Sequence, residues 1–148
     1  MSDEVKSAVP PVIPWLDKAK QYLGEHEISG KKDNQFILDC FKHTSYKDDH
    51  DEVPWCAAFI CRVLDECGLK STGSAAAVSF ASDSWGKPSA LVRGAILVFK
   101  WPGGGHHVTI MDHMIDSDHV ACIGGNQADM VKMSVFPVSC IMSKRLPV

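Results

Sequence analysis

Cys56 and His107 are the residues in this sequence best placed to do covalent chemistry. Cys56 follows Pro54-Trp55 and heads CAAFICRVLDEC, whose apolar residues recur at helical spacing. A proline suits the first turn of a helix, where its missing N–H would have no intrahelical partner. On that helix Phe59, Ile60, Val63, Leu64 and Cys67 fall within about 80° of Cys56, so Cys56 heads the stripe facing the core. Unpaired N–H groups and the helix dipole favour a thiolate there and are expected to lower the thiol pKa. The same N–H groups can hold the oxyanion formed when a sulfur attacks a carbonyl. Cys61 points about 140° away. It reads, with Cys40, Cys67, Cys122 and Cys140, as a small buried apolar side chain.

A thiol nucleophile needs a base. His106 and His107 follow three glycines and open HHVTIMDHMI, which reads as a strand. Strand alternation puts His107, Thr109, Met111 and His113 on one face, and His106, Val108, Ile110 and Asp112 on the other. The run from Val120 to Asn126 returns beside it after a turn at Asp116-Ser117-Asp118. A two-residue hairpin loop, Asp116-Ser117, sets Asn126 across from His107; a three-residue loop sets Gln127 there instead. Either way an amide side chain stands beside the histidine. A cysteine to attack, a histidine to move the proton and an amide to hold the ring form a papain-type constellation. The remaining histidines, His26, His43, His50, His106, His113 and His119, read as surface or packing residues. His107 and His113 share a face but lie about 20 Å apart along an unbulged strand. No metal site and no cofactor is therefore expected.

These side chains must be positioned by one globular domain, which is what 148 residues with 45% hydrophobic and 22% charged content support. Residues 1–13 read as a flexible tail and 14–148 as the domain. Net charge is −3 and no Lys/Arg run exceeds two, so no nucleic-acid partner is expected. The six cysteines include no CxxC pair, which argues against a zinc knuckle. The acidic, proline-broken start MSDEVKSAVPPVIPW does not read as a signal peptide, so the thiols are expected to be reduced. The longest uncharged stretch, from Ser71 to Ser82, is 12 residues, too short to span a membrane.

Pro14 opens a first helix carrying Trp15, Leu16, Ala19 and Leu23, with Gly24 as its stop. Asp33 or Asn34 caps a second around Phe36, Ile37 and Phe41. An acidic loop, Lys47 to Glu52, follows, and a third helix runs from Pro54 to Gly68. The period then changes. AILVF after Arg93-Gly94 reads as a buried strand, followed by the His107 strand and HVACI up to Gly124-Gly125. Val131 to Val135 and Cys140 to Met142 supply two more. Helices first and a strand meander afterwards predict an α+β fold, with an antiparallel sheet packed on the N-terminal helices.

Taken together, PWCAAFICRVLDECGLKSTGSAAA, RGAILVFK, GHHVTIM and IGGNQ resemble the papain-like cell-wall cysteine peptidases. The resemblance is to the small single-domain branch related to the CHAP amidases and NlpC-type endopeptidases, and runs from about Pro14 to Pro147. It implies a papain-like fold and cleavage of an amide bond in peptidoglycan. The bond would be the sugar–peptide link, as in an N-acetylmuramoyl-L-alanine amidase, or one within the stem peptide. Such enzymes act as phage endolysins, autolysins or delivered antibacterial effectors; the lack of a cell-wall-binding domain favours a lysin or an effector. Residue by residue, the resemblance makes Cys56 the nucleophile, His107 the base and Asn126 the third member, a place where some relatives carry an acidic residue or histidine. His106 stands where relatives often carry glycine.

Trp55 and Trp101 flank the expected groove and, with Gln127 and Tyr46, are the expected substrate contacts, Tyr46 also serving the oxyanion. The implied partners are peptidoglycan and, for a delivered toxin, an immunity or inhibitor protein. The chain is expected to be a monomer with no membrane insertion, made in the cytoplasm without a signal peptide and acting in the periplasm or on the wall. The competing reading is a catalytically inactive binding domain on the same scaffold.

Overall fold

The computed structural model describes residues 12–26, 35–45 and 54–147. Helix α1, Pro14–Gln21, carries its proline in the first turn and buries Leu16 and Ala19. It stops before Leu23, which is exposed rather than on the buried face, and Gly24 follows with φ +98°. Helix α2, Gln35–Phe41, buries Ile37, Cys40 and Phe41. The cap expected at Asp33 or Asn34 and the acidic loop Lys47 to Glu52 lie outside the described residues. Helix α3, Cys56–Glu66, begins two residues after Pro54, with Trp55 at its N-cap.

The α3 helix buries Ala57, Ala58 and Cys61 as well as the stripe headed by Cys56. Its second face is covered by the segment that follows it, where Cys61 Sγ lies 3.8 Å from the Thr72 hydroxyl and 3.5 Å from the Ser74 carbonyl. Arg62 fastens the three helices together. Its guanidinium lies over the rings of Tyr22 (4.8 Å) and Phe36 (4.5 Å), and its Nε donates to Glu66 at 3.0 Å. A 3₁₀ turn at Ala77–Ala81, unmarked by any sequence signal used above, places Phe80 in the core.

Six antiparallel strands follow: β1 (Lys87–Pro88), β2 (Ile96–Lys100), β3 (His106–Met114), β4 (His119–Gln127), β5 (Met130–Pro137) and β6 (Ile141–Leu146). Their spatial order is β1-β6-β2-β3-β4-β5. The fold is therefore α+β with an antiparallel sheet. On the helix side, Val98, Val108, Ile110, Ile123 and Val131 join the core of α3. On the far side, Leu97, Phe99, Met111, Val120 and Cys122 form a second cluster, flanked by Trp101 and Phe136. Burial on both faces explains why the β2 sequence is continuously apolar rather than alternating. No helix among the described residues is long and apolar enough to cross a membrane.

The hairpin joining β3 and β4 has the longer of the two loops, yet beyond a bulge its pairing returns to the register that the shorter loop would give. Ile115 N–H bonds the His119 carbonyl at 2.9 Å, so the loop is Asp116-Ser117-Asp118, with three residues rather than two. Near the turn Met114 pairs with Val120 and His113 with Ala121. Asp112 is then an extra residue, a bulge, beyond which Met111 pairs with Cys122 and Ile110 with Ile123. Asp112 is buried in that bulge and held by Lys20 Nζ (3.1 Å), Arg93 Nε (3.3 Å) and His113 Nδ1 (2.7 Å).

Candidate active site

His107, the second residue of β3, lies on the far face of the sheet, against Phe136 and Trp101 (ring centroids 5.4 and 6.5 Å). Its Nε2 lies 3.0 Å from Oε1 of Gln127. The amide of Gln127 cannot be turned round. Its Nε2 donates to the carbonyls of Lys132 (2.7 Å) and Cys122 (3.3 Å), which accept only, so Oε1 must face the histidine. An oxygen that only accepts requires a donor opposite, so Nε2 of His107 carries the proton and Nδ1 holds a free lone pair. The hydroxyl of Thr109, with a single proton, lies 2.7 Å from the same Oε1 and 2.8 Å from the Ile123 carbonyl, and it donates to one of these two acceptors. The Gln127 amide and the two carbonyls that hold it thus fix one tautomer of one imidazole.

Cys56 reaches β3 from the helix side. The backbone N–H groups of Val108, the residue after His107, and of Ala57 and Cys56 itself lie near enough to its sulfur to favour the thiolate. Val108 and His107 occupy opposite faces, as strand alternation requires. Among the described residues, no hydrogen bond joins Sγ to the imidazole.

Burial is the largest influence on both groups. It pushes the Cys56 thiol above the ordinary value of 9.0, with the amides of Val108, Ala57 and Cys56 pulling it back only in part. The helix position does act as the sequence suggests, but desolvation outweighs it, so the expected lowered thiol pKa is not what the site produces. Burial likewise holds His107 below the ordinary imidazole value of 6.5, against the opposing bond to Gln127. The resting pair is a neutral thiol and a neutral imidazole.

The segment Gly124-Gly125-Asn126-Gln127 builds the site residue by residue. A Cβ at Gly124 would lie 2.6 Å from Thr109 Oγ1 and 2.7 Å from Gln127 Oε1, so only glycine admits that bond. Gly125 lies beneath the ring of Trp55. Between β4 and β5 the pairing jumps from Gly124↔Lys132 to Gln127↔Met130, which leaves a bulge. Asn126 sits in it with φ +60°, a left-handed conformation that asparagine tolerates better than most residues. That bulge swings Gln127 inward.

The structure therefore exchanges two sequence assignments. Gln127, expected to touch substrate, orients His107; Asn126, expected to orient it, lines a cavity of about 210 Å³ beside the ring. Trp55 cannot contact substrate, because it is 0% exposed and packed beneath α3 against Gly125. Trp101 is half-buried, stacked on Phe99 at 5.4 Å, and lines the same cavity. Tyr46 lies outside the described residues. Thr109 was missed, although its position two residues after His107 on one strand face is a signal that could have found it.

All six cysteines are free thiols. Among the described residues, no cluster of three or more His, Cys, Asp or Glu side chains could hold a metal ion. No protein-family model matches the chain, and no curated protein matches it.

Proposed function

We propose that this chain is a cysteine-dependent amide hydrolase acting on peptidoglycan, with Cys56 as nucleophile, His107 as base and Gln127 as the orienting group. The observation that carries the chemistry is the locked Gln127 amide, which leaves Nδ1 of His107 unprotonated. A histidine kept neutral below its ordinary pKa, with one defined lone pair, is built to accept a proton. In the proposed reaction Nδ1 takes the Sγ proton as sulfur adds to the amide carbon. First-turn N–H groups of α3 receive the negative charge on oxygen. The C–N bond then breaks, Nδ1–H protonates the departing amine, and a thioester remains on Cys56. Water, deprotonated by the same Nδ1, hydrolyses the thioester and returns the thiol.

The substrate class and the papain-like assignment rest on the motif resemblance, with phage endolysin or delivered effector as the biological setting. A second reading, a binding domain without catalysis, draws on the burial of Cys56, which is 5% exposed. Incubating purified peptidoglycan with the protein and analysing the released muropeptides by mass spectrometry separates the two. The proposal expects new amine and carboxyl termini from the wild type, and none from Cys56→Ser or from protein alkylated at Cys56. Release by Cys56→Ser at the wild-type rate would overturn it.

A further inference from the structure

The exchange of roles between Asn126 and Gln127 leaves the Asn126 amide unused. Among the described residues no hydrogen bond involves its side chain, whereas the neighbouring Gln127 amide is saturated. Asn126 is half-buried and lines the cavity of about 210 Å³ together with Trp101, His107, Ser134 and Phe136. Its backbone needs only a residue that tolerates φ +60°, and glycine, present at the two preceding positions, would satisfy that more easily. The asparagine thus adds to the bulge something the backbone does not require: one donor and one acceptor at the cavity wall.

The chemistry of the cavity defines what could fill it. Trp101 and Phe136, with ring centroids 5.7 Å apart, provide apolar walls, and among the described residues no charged side chain lines it. The space admits one residue, and its apolar walls offer a charged side chain no partner. The imidazole of His107 forms part of the wall. In amide hydrolysis the base returns its proton to the departing amine, so the leaving residue passes close to that ring.

We infer that this cavity seats the residue on the leaving-amine side of the scissile bond, that this residue is small and uncharged, and that Asn126 binds its main-chain amide. The Oδ1 atom would accept its N–H and Nδ2 would donate to its C=O. The inference rests on the proposed hydrolase reading and adds the leaving-side specificity to it.

Asn126→Gly tests it, because glycine retains the left-handed backbone and removes only the amide. In Cys56-dependent muropeptide cleavage, KM should rise about tenfold, in keeping with one to two neutral hydrogen bonds. The kcat should stay within about twofold and Tm should not fall. Asn126→Asp, which keeps an acceptor but loses the donor, should also raise KM. Alaninamide, a probe of the leaving residue, should shift the Asn126 side-chain N–H signals in NMR titrations of the Cys56→Ala variant, and bind about tenfold more weakly when Asn126→Gly is added. A lowered kcat at constant KM would overturn the inference, since that is the mark of an orienting group. Unchanged KM and unchanged alaninamide affinity would overturn it too, while Cys56-dependent cleavage in the same assay would leave the hydrolase reading standing. Alaninamide binding that depends on Asn126, in a protein without cleavage, would support the cavity and remove the hydrolase reading.

Discussion

The indole of Trp55 occupies the space that a side chain at Gly125 would need: a Cβ there would lie 2.6 Å from Cζ3 and 2.7 Å from Cε3 of the ring. It would also lie 2.8 Å from Cβ of Phe59. Neither neighbour can give way, because both are fully buried at the head of α3. Gly125→Ala should therefore destabilise by about 1–3 kcal/mol, the usual cost of overpacking, and lower Tm by several degrees for a chain of this length. Gly124→Ala meets Thr109 and Gln127 instead. Its signature should be lost cleavage that exceeds what its melting temperature explains, and thermal unfolding beside a kinetic assay distinguishes the two variants.

Gln127→Ala should remove the orientation of His107 while leaving both sulfur and base in place. Losing the charged orienting residue of a serine protease costs about 10⁴-fold in kcat. A neutral amide offers no charge to an imidazolium, so the expected loss is smaller, about 10- to 10³-fold. Thr109→Val, which removes the hydroxyl lying between that oxygen and the Ile123 carbonyl, should cost less than Gln127→Ala. Single-turnover kinetics on muropeptides measures both, and equal effects from the two variants would place Thr109 on the same footing as Gln127.

The neutral resting pair has a pH signature. The base must be unprotonated, and burial holds His107 below 6.5, so activity should persist as pH falls through 6.5 and fail only below it. Gln127→Glu would set a carboxylate beside Nε2, favour the imidazolium and move that acid limb upward. The same depressed value bears on folding. His107 contributes stability that is fully present above the unfolded imidazole value and is lost as pH falls through the folded one. For the thiol the sign is opposite. Alkylation of Cys56 by iodoacetamide should stay slow through neutral pH and accelerate only at alkalinity beyond that of an ordinary cysteine.

The tip of the β4–β5 hairpin stores strain. Ala128 and Asp129 both have positive φ, +54° and +62°, the backbone of a turn that favours Asn-Gly. Alanine has no local hydrogen bond to offset its left-handed conformation. Ala128→Gly should thus stabilise the protein by about 1 kcal/mol, measurable as a higher denaturant midpoint at unchanged m-value.

Much of this architecture is legible in the residues. Periodicity and prolines mark α1 and α3, and the apolar run marks β2, because each element buries a side that its pattern displays. The two-residue β1 carries no such pattern; it exists because β6 lies beside it, with the buried Arg145 donating to the Trp85 carbonyl at 2.6 Å. The site was legible as a set of residues but not as a set of partners. Counting along ideal strands gives one orienting residue or the other, and two bulges decide between them. Neither is visible in composition: one depends on the ionic contacts of Asp112 and the other on a positive φ at Asn126. Burial, likewise a property of the assembled core, reversed the expected shift of the Cys56 thiol.

The bulge at Asp112 has a mechanical consequence for the hairpin beyond it. It lies between the three-residue turn and the imidazole, and its carboxylate is moored to α1 through Lys20 and to the entry of β2 through Arg93. A length change at Asp116-Ser117-Asp118 would otherwise slide one strand past the other and rotate His107 away from its amide. The extra residue at Asp112 offsets the third residue of the turn, so beyond it β3 and β4 pair as they would across a two-residue turn. The His107 end of β3 thereby keeps its phase with β4.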